Sequence, residues 1–216
     1  MPFANPENYY HVAREIAQAT PAAVWSDQFN NTANRNAHYA TTGPEIWRAF
    51  GTSLTAFVAA CGTGGTLAGT AFFLKERNDA IRIVVCDPYG SALYAHVRSG
   101  TLDVEGESNA EGIGIKRITA NFADAPVDDA LRIDDRTMVE MAAWLLREEG
   151  LYLGGSAALN VAGAARYART LPAGSTVVTI LCDGGDRYRS RLWNTAWLAE
   201  HDCLPRARDL SFLEVI

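Results

Sequence analysis

The chain has 216 residues, of which 48% are hydrophobic and 20% are charged. This length predicts one full domain, or one domain with part of another, and the composition excludes disordered, collagen-like and mucin-like chains. A formal net charge of −6 at pH 7 argues against a nucleic-acid partner, because phosphate binding needs a basic surface. The cysteines have no CxxC pair and no zinc spacing, so we expect buried or idle thiols in a reducing cytosol at Cys61, Cys86, Cys182 and Cys203.

The sequence has no membrane or metal signature. Its first residues contain neither a basic segment nor an apolar segment of the kind that forms a secretory signal. The most apolar long stretch, residues 57–74, is interrupted by four glycines, which makes it unsuitable as a membrane span. We therefore expect a cytoplasmic protein without membrane contact. The histidines show no metal spacing, and we expect surface or core positions for His11, His38, His96 and His201.

The first fifty residues predict two helices and a short strand. Asn5-Pro6-Glu7 combines a capping side chain, a proline and an acid, which is typical of a helix start, and the helical pattern ends at Pro21. Residues 22–25 predict a short strand that leads into a polar stretch at residues 28–35. A second helix is predicted from Gly43 to Gly51.

The next thirty residues or so have the outline of a strand–helix–strand unit. Residues 57–61 form a continuous apolar run, as expected for a strand that is buried on both faces. A glycine-rich turn, a helix over residues 66–77 and a second buried strand over residues 81–86 follow. This order predicts a parallel strand pair with a right-handed crossover.

The remaining pattern continues the alternation of helices and strands. Three helices and one buried strand are predicted, over residues 91–98, 135–149, 156–171 and 176–182. Asp134 caps the second of these helices and Gly150 ends it. The whole pattern predicts an α/β fold, a three-layer sandwich with a mainly parallel sheet.

The glycine-rich turn, Gly62-Thr63-Gly64-Gly65-Thr66, is the strongest chemical signal in the sequence. Glycines between a strand and a helix let backbone N–H groups point at a phosphate, and the threonines add hydroxyl donors. A tight turn that needs positive φ is the simpler alternative. A dinucleotide is less favoured, although Asp87 could imitate a ribose-binding acid, because Leu67 stands where the fingerprint needs its third glycine. A P-loop is excluded, because no Gly-Lys-Ser/Thr is present.

This loop resembles the cofactor-phosphate loop of the cysteine synthase (O-acetylserine sulfhydrylase) family, which belongs to the fold-type II pyridoxal-phosphate enzymes. Further similar segments occur in the same order as in the family and extend over nearly the whole chain. They are Gln28-Phe29 with Asn34, Thr41-Thr42-Gly43-Pro44-Glu45-Ile46-Trp47, Glu111-Gly112-Ile113-Gly114, Gly154-Gly155-Ser156 and Asp186-Arg187-Tyr188. The resemblance implies a large domain like that of the tryptophan synthase β-subunit.

The resemblance also implies roles for particular residues. The cofactor would be pyridoxal 5′-phosphate, with its phosphate held by Gly62, Thr63, Gly64, Gly65 and Thr66. Ser156 matches the serine that faces the pyridine nitrogen, although by itself it could be a plain helix N-cap. Gln28 matches a position near the substrate carboxylate, and its alternative is a polar residue at a strand end. Gly112 and Gly114 match a stretch that lines the cofactor, and their alternative is an ordinary loop.

The sequence departs from the family in its length. Family members are substantially longer, so residues 1–27 resemble a remnant of the small N-terminal domain and residues 28–216 an incomplete large domain. The segment that carries the Schiff-base lysine is then absent, and we expect no catalytic residue in this chain. Neither Lys75, expected on the solvated face of its helix, nor Lys116 matches the family's lysine. Arginine cannot replace it, because its guanidinium stays protonated.

The expected function follows from the family. A complete member would carry out pyridoxal-phosphate-dependent β-replacement, which converts O-acetylserine and sulfide to cysteine and acetate, while this chain alone would be inactive. Two alternatives remain open, namely a non-catalytic module that binds pyridoxal phosphate or a nucleotide, and one half of a split enzyme. The expected partners are an amino-acid substrate and either an N-terminal half or a second copy in a homodimer.

Overall fold

A parallel sheet forms the centre of residues 3–214, the part of the chain that the computed structural model describes. Within that range the sheet has four strands in the order β3-β2-β1-β4. Their bounds are Leu54–Ala59 for β1, Arg82–Pro88 for β2, Asp129–Ile133 for β3 and Thr176–Thr179 for β4. Each neighbouring pair is parallel. The carboxyl ends of all four strands therefore lie at one edge of the sheet, where α/β proteins bind their ligands.

Helices cover both faces of the sheet. Their bounds are Tyr9–Ala19 (α1), Ala33–Ala40 (α2), Thr42–Phe50 (α3), Gly65–Arg77 (α4), Leu93–Ser99 (α5), Asp135–Glu149 (α6), Gly155–Ala168 (α7) and Thr195–Glu200 (α8). Alternate residues of β1 point to opposite layers. Val58 belongs to a core cluster with residues of α6 and α7, whereas Phe57 belongs to a cluster with residues of α3, α4 and α5. The predicted three-layer α/β sandwich is confirmed.

The central strands are apolar because both of their faces are buried. Phe57, Val58, Ile83 and Val84 are all fully inaccessible to solvent. The register places Phe57 beside Ile83 and Val58 beside Val84, so large side chains pack next to each other on each face. The predicted strand–helix–strand unit is confirmed as β1, α4 and β2.

Two predictions about the first thirty residues are wrong. Residues 22–25 form no strand: Ala22 has a φ of 60° and Val24 is 91% exposed, so no neighbouring strand stabilises the segment. The first helix starts at Tyr9 instead of next to Asn5. Asn5 accepts a hydrogen bond from the backbone N–H of Glu7 and so closes a separate turn, while Asn8 provides the cap of α1.

Three elements were not predicted from the sequence, namely α2, β3 and α8. Helix α2 begins within the polar stretch of residues 28–35 and extends beyond it to Ala40, and it has no buried residue of its own. It is held by packing against α4, where glycines allow close approach. Strand β3 carries Asp129 and Arg132 beside its apolar residues, as suits the edge of a sheet.

Lys75 does not lie on a solvated face, as the helical pattern had suggested. Its side chain is only 13% exposed, and its ammonium group donates to the Asp128 carboxylate at 3.0 Å and to the carbonyl oxygen of Asp79 at 2.8 Å. Asp128 in turn accepts from the backbone N–H of Ile83. The lysine therefore joins α4 to the start of β3, a structural role that depends on a residue far away in the sequence.

The cysteines are free thiols and differ in exposure. Cys61 and Cys86 are buried, as expected, whereas Cys203 is half-buried and Cys182 is exposed. No helix within residues 3–214 is long and apolar enough to cross a membrane. The same residues contain no cluster of histidine, cysteine and carboxylate side chains that could hold a metal ion.

Candidate functional site

A cleft of about 670 Å³ opens at the carboxyl edge of the sheet, beyond the ends of β1 and β4. This volume lies in the range of about 300–1,000 Å³ that is typical of small-molecule sites. The predicted site residues on its wall are Gln28, Gly62, Thr63, Thr66, Gly112, Gly114 and Ser156. The wall also contains residues to which the resemblance gave no role, namely Tyr9, Phe29, Ala60, Glu111, Ile113, Cys182, Asp183, Arg187 and Tyr188.

The loop after β1 needs its glycines for close packing. Gly64 has a φ of +86°, which side chains rarely adopt, and a Cβ there would also meet the side chain of Phe122. A Cβ on Gly65 would overlap the amide of Asn34, and a Cβ on Gly62 would overlap the carbonyl oxygen of Gly112. Gly64 and Gly65 thus lie behind the cleft wall and shape the loop, while the N-terminus of α4 faces the cleft.

Thr63 is held in place by two neighbouring segments. Its hydroxyl oxygen accepts from Asn34 Nδ2 at 2.9 Å, and its carbonyl oxygen accepts from the hydroxyl of Thr119 at 2.7 Å. The backbone N–H of Gly65 also points at this hydroxyl, at 3.4 Å. The orientation of the threonine side chain is therefore decided before any ligand arrives.

Thr66, in the first turn of α4, contacts a histidine. Its hydroxyl lies 3.1 Å from His38 Nε2, and His38 Nδ1 lies 2.9 Å from the hydroxyl of Thr42. Burial lowers the pKa of His38 below its ordinary value, which favours the neutral ring. The sequence suggested only a surface or core histidine at this position, because no spacing relates His38 to the loop.

The segment Glu111–Gly114 forms the opposite wall. The backbone N–H of Gly114 donates to the carbonyl oxygen of Cys61 at 2.8 Å, which ties this wall to the end of β1. Gly112 and Gly114 both have positive φ, at 77° and 81°. These conformations favour glycine, as an ordinary loop with two glycines would also require, so the ordinary-loop alternative stays open.

Ser156 lies on the cleft wall near the start of α7 and is only 6% exposed. The N-cap of α7 is Gly154, so the alternative of a plain N-cap at Ser156 is wrong. Helix α7 is held in place by Asn160, which accepts from the backbone N–H of Ala60 at 2.7 Å and donates to the carbonyl oxygen of Ile180 at 2.9 Å. These bonds join α7 to the ends of both strands that flank the cleft.

Gln28 also lies on the cleft wall, in a loop and not at a strand end. Its carbonyl oxygen accepts from the side-chain amides of Asn34 and Asn121, each at 2.9 Å. Its backbone is thereby anchored to α2 and to the segment after Glu111–Gly114. The structure brings Gln28 and Ser156 into the same cleft although they are far apart in the sequence.

Asp183 and Tyr188 form a polar pair in the cleft to which no role was assigned. The Tyr188 hydroxyl donates to Asp183 Oδ2 at 2.7 Å, and burial together with this carboxylate raises the pKa of Tyr188 to about 12. Asp183 Oδ1 is buried and has no hydrogen-bond partner among the described residues. Asp183 directly follows the predicted strand 176–182, and that position at the carboxyl edge of a parallel sheet was a usable signal.

No lysine lines this cleft among the described residues. Lys75 is bound to Asp128 at a different part of the sheet, at the start of β3. Lys116 lies in a neighbouring pocket of about 480 Å³, together with Tyr9 and Phe29. The described part of the cleft wall carries one positively charged side chain, that of Arg187, and two acidic side chains, those of Glu111 and Asp183.

The geometry of the loop agrees with a comparison against protein families. Residues 3–183 match the model of the family described as pyridoxal-phosphate dependent enzyme. The chain belongs to this family. Its members depend on pyridoxal phosphate, which confirms the expected cofactor of the family. The resemblance to cysteine synthases within it is confirmed by the relatives described next.

Similar proteins include cysteine synthase 1 of Emericella nidulans, which is 50% identical over 201 residues that cover 91% of this chain and 54% of the relative. Cysteine synthase 1 of Neurospora crassa is 48% identical and is matched over 94% of this chain and 55% of its own length. A crystal structure of an O-acetylserine-dependent cystathionine β-synthase from Helicobacter pylori superposes with a TM-score of 0.76 at 38% identity, over 82% of this chain and 56% of that one. The expected fold-type II architecture is confirmed, and the chain spans about half the length of the curated relatives that it matches.

The residues present fit the phosphate group of pyridoxal phosphate. The loop offers a glycine cradle, two threonine hydroxyls and the N-terminus of α4, where the first-turn N–H groups have no acceptor within the helix. Side chains larger than hydrogen at Gly62 would close the cradle against Gly112. Asp183, on the far side of the cleft, also has a buried oxygen without a hydrogen-bond partner among the described residues.

Proposed function

We propose that this chain binds pyridoxal phosphate and forms the large-domain part of a cysteine synthase. The observation that carries the proposal is the single cleft on which the glycine-threonine loop, the Gly112 wall, Ser156 and Gln28 meet. The reaction would be β-replacement, in which O-acetylserine and sulfide give cysteine and acetate, formally a transferase reaction with lyase-like elimination. Residues 1–27 would belong to the small domain and residues 28–216 to the large one.

Each wall of the cleft has a proposed task. The segment Gly62–Thr66 and the N-terminus of α4 bind the phosphate by hydrogen bonds and by the helix dipole. The backbone of Gly112 lies against Gly62 and keeps the opposite wall close to the loop, which would exclude water from a bound cofactor. Ser156 would present its hydroxyl to the pyridine nitrogen, and Gln28 would orient the substrate carboxylate.

When bound, pyridoxal phosphate supplies an electron sink that lets a β-substituent leave and a nucleophile take its place. A neutral serine hydroxyl beside the pyridine nitrogen does not keep that nitrogen protonated, which moderates the sink and suits elimination. Proton transfer at the substrate needs a base with a tunable pKa, and lysine is suited to that role while arginine is not. Since neither Lys75 nor Lys116 lines the cleft, we propose that the lysine comes from residues outside this chain.

Two other functions remain as alternatives. Sequence outside these 216 residues could belong to the same polypeptide or to a separate one, the second arrangement being a split enzyme. A non-catalytic module would instead bind pyridoxal phosphate, or a nucleotide, reversibly and need no lysine. For the cysteine synthase, an amino-acid substrate, either an N-terminal half or a second copy as partner, and a cytoplasmic location are part of the proposal.

Borohydride reduction tests the proposal directly. The purified chain is incubated with pyridoxal phosphate, reduced, and mapped by mass spectrometry, and a parallel sample is assayed with O-acetylserine and sulfide. We expect saturable cofactor binding that inorganic phosphate competes away, no stoichiometric adduct at Lys75 or Lys116, and no cysteine formation by the chain alone. A stoichiometric lysine adduct or enzyme-like turnover would overturn the assignment of roles, and absence of cofactor binding would overturn the proposed function itself.

A further inference from the structure

Helix α2 packs unusually closely on the phosphate loop and on α4. A Cβ on Gly65 would overlap the side chain of Asn34, and a Cβ on Gly69 would overlap the carbonyl oxygen of Arg35 and approach His38. Asn34 and His38 are four residues apart and so lie on the same face of α2. This face therefore presents one amide and one imidazole to the two threonines of the loop.

The amide of Asn34 has a defined orientation. Its Nδ2 atom lies 2.9 Å from the hydroxyl oxygen of Thr63 and 2.9 Å from the carbonyl oxygen of Gln28. Because a carbonyl oxygen can only accept, the atom that faces it must be the nitrogen. Thr63 consequently accepts from Asn34, and its own hydroxyl proton stays available to a ligand in the cleft.

The imidazole of His38 makes the equivalent contact one helical turn later. Its Nε2 lies 3.1 Å from the Thr66 hydroxyl and its Nδ1 lies 2.9 Å from the Thr42 hydroxyl. A neutral ring carries one N–H, so two arrangements are available. With the proton on Nε2, Thr66 accepts and keeps its own proton for the cleft; with the proton on Nδ1, Thr66 must donate to the ring and turns only lone pairs toward the cleft.

A phosphate accepts hydrogen bonds and repels lone pairs, so only the first arrangement suits a phosphate ligand. In it, Thr42 donates to Nδ1, and both ring nitrogens are satisfied without any charge on the ring. Burial, which lowers the pKa of His38, keeps the ring neutral and so preserves a single N–H.

We propose that Asn34 and His38 are positioning residues that orient the hydroxyl protons of Thr63 and Thr66 toward the cofactor phosphate. His38 does so as the Nε2–H tautomer, which Thr42 selects by donating to Nδ1. Neither residue lines the cleft, and both act through the threonines. This inference rests on the proposed function, because it assumes that the ligand at the loop carries a phosphate.

Substitutions at His38 separate orientation from packing. The amide nitrogen of Gln reaches the place of Nε2, whereas the amide of Asn reaches only the place of Nδ1, so His38→Gln keeps a donor for Thr66 and His38→Asn removes it. Dissociation constants are measured for pyridoxal phosphate and for pyridoxal, which lacks the phosphate, by tryptophan fluorescence. We expect His38→Asn to weaken pyridoxal phosphate binding about tenfold, which is the usual effect of losing one oriented hydrogen bond to a charged ligand. The affinity of His38→Gln should stay within about twofold of that of the unsubstituted chain.

Pyridoxal provides the control within the same titrations. Its affinity should be unchanged in both variants, because it has no phosphate for Thr66 to contact, and thermal unfolding shows whether each variant is folded. Equal effects of Gln and Asn on pyridoxal phosphate, or equal losses for both ligands, would overturn the positioning role. If the unsubstituted chain binds both ligands equally well, the phosphate site itself is wrong, which is a failure of the proposed function and not of His38 alone.

The tautomer can be observed independently of any binding constant. Long-range ¹H–¹⁵N correlation spectra of the histidine-labelled chain, with pyridoxal phosphate at saturation, distinguish a protonated Nε2 from a protonated Nδ1. We expect His38 to carry its proton on Nε2, and Thr42→Val, which removes the hydroxyl that donates to Nδ1, to produce a mixture of tautomers. A proton on Nδ1 in the unsubstituted chain would overturn the proposal, whatever the affinities are.

Discussion

At the scale of single residues, the shape of the cleft depends on glycines, because a residue without a side chain lets two backbone segments approach each other closely. Gly62 approaches the carbonyl oxygen of Gly112 so closely that a methyl group would overlap it, and a backbone atom cannot move aside as a flexible side chain can. Gly184 lies in the same region but has a φ of −81° and only the carbonyl oxygen of Tyr152, at 3.7 Å, near its Cβ position. The two glycines therefore provide a matched comparison.

Gly62→Ala is expected to push the Gly112 wall away from the loop. The free energy of unfolding should fall by about 1–3 kcal/mol, the usual cost of overpacking, and pyridoxal phosphate should bind at least about tenfold more weakly. Urea unfolding and fluorescence titration measure the two effects. Gly184→Ala should change neither the free energy of unfolding nor the affinity by a measurable amount. If it lowers both as much as Gly62→Ala does, the region is sensitive to any added methyl group and the contact with Gly112 is not the cause.

At the scale of secondary-structure elements, α6 shows how local signals define a helix. Asp134 accepts from the backbone N–H of Thr137 at 2.8 Å and from its hydroxyl at 2.8 Å, and Gly150 ends the helix with a φ of 69°. Both signals act within a few residues, which is why the predicted helix over residues 135–149 agrees with the structure.

Removal of the cap should weaken α6 without touching the cleft. Asp134→Ala is expected to lower the free energy of unfolding by about 1 kcal/mol, because the first-turn N–H groups lose their acceptor. Asp134→Asn keeps an acceptor oxygen and should lose less than half as much. Urea unfolding checks both variants; equal losses would mean that the carboxylate charge, and not the cap hydrogen bond, stabilises the helix.

At the scale of the whole molecule, a buried acid links stability to pH. Asp87, at the end of β2, is fully inaccessible to solvent, and burial raises its pKa to about 6 against the opposing effect of the Tyr94 backbone N–H. Its Oδ1 has no hydrogen-bond partner among the described residues. Because the folded chain holds this proton more tightly than the unfolded chain, the contribution of Asp87 to stability is greatest below about pH 4 and is lost as pH rises to about 6.

Asp87→Asn should remove this dependence on pH. Between pH 4 and pH 7 the parent chain is expected to lose about 3 kcal/mol relative to the Asn variant, from a pKa difference of about two units. Urea unfolding at several pH values measures the difference. Asp79→Asn, at a side chain that is 97% exposed, is the control, and parallel curves for the parent chain and Asp87→Asn would contradict the burial argument.

Much of the fold and part of the site could be predicted from local pattern. The apolar runs at β1 and β2, the caps of α6 and the glycine-threonine loop are each recorded within a short stretch of sequence. The signal is strong there because backbone conformation and two-sided burial restrict residue type directly. Predictions that needed a partner strand failed, as at residues 22–25, since pairing is not a local property.

The sequence by itself determined the α/β architecture, the family and the loop that suits a phosphate. Only the tertiary structure decided which distant groups meet: that His38 faces Thr66, that Lys75 is bound to Asp128 away from the cleft, and that Asp183 keeps an unpartnered oxygen. The physical reason is distance along the chain. A turn or a cap is selected by its own neighbours, whereas a side-chain contact between elements exists only after packing has brought those elements together.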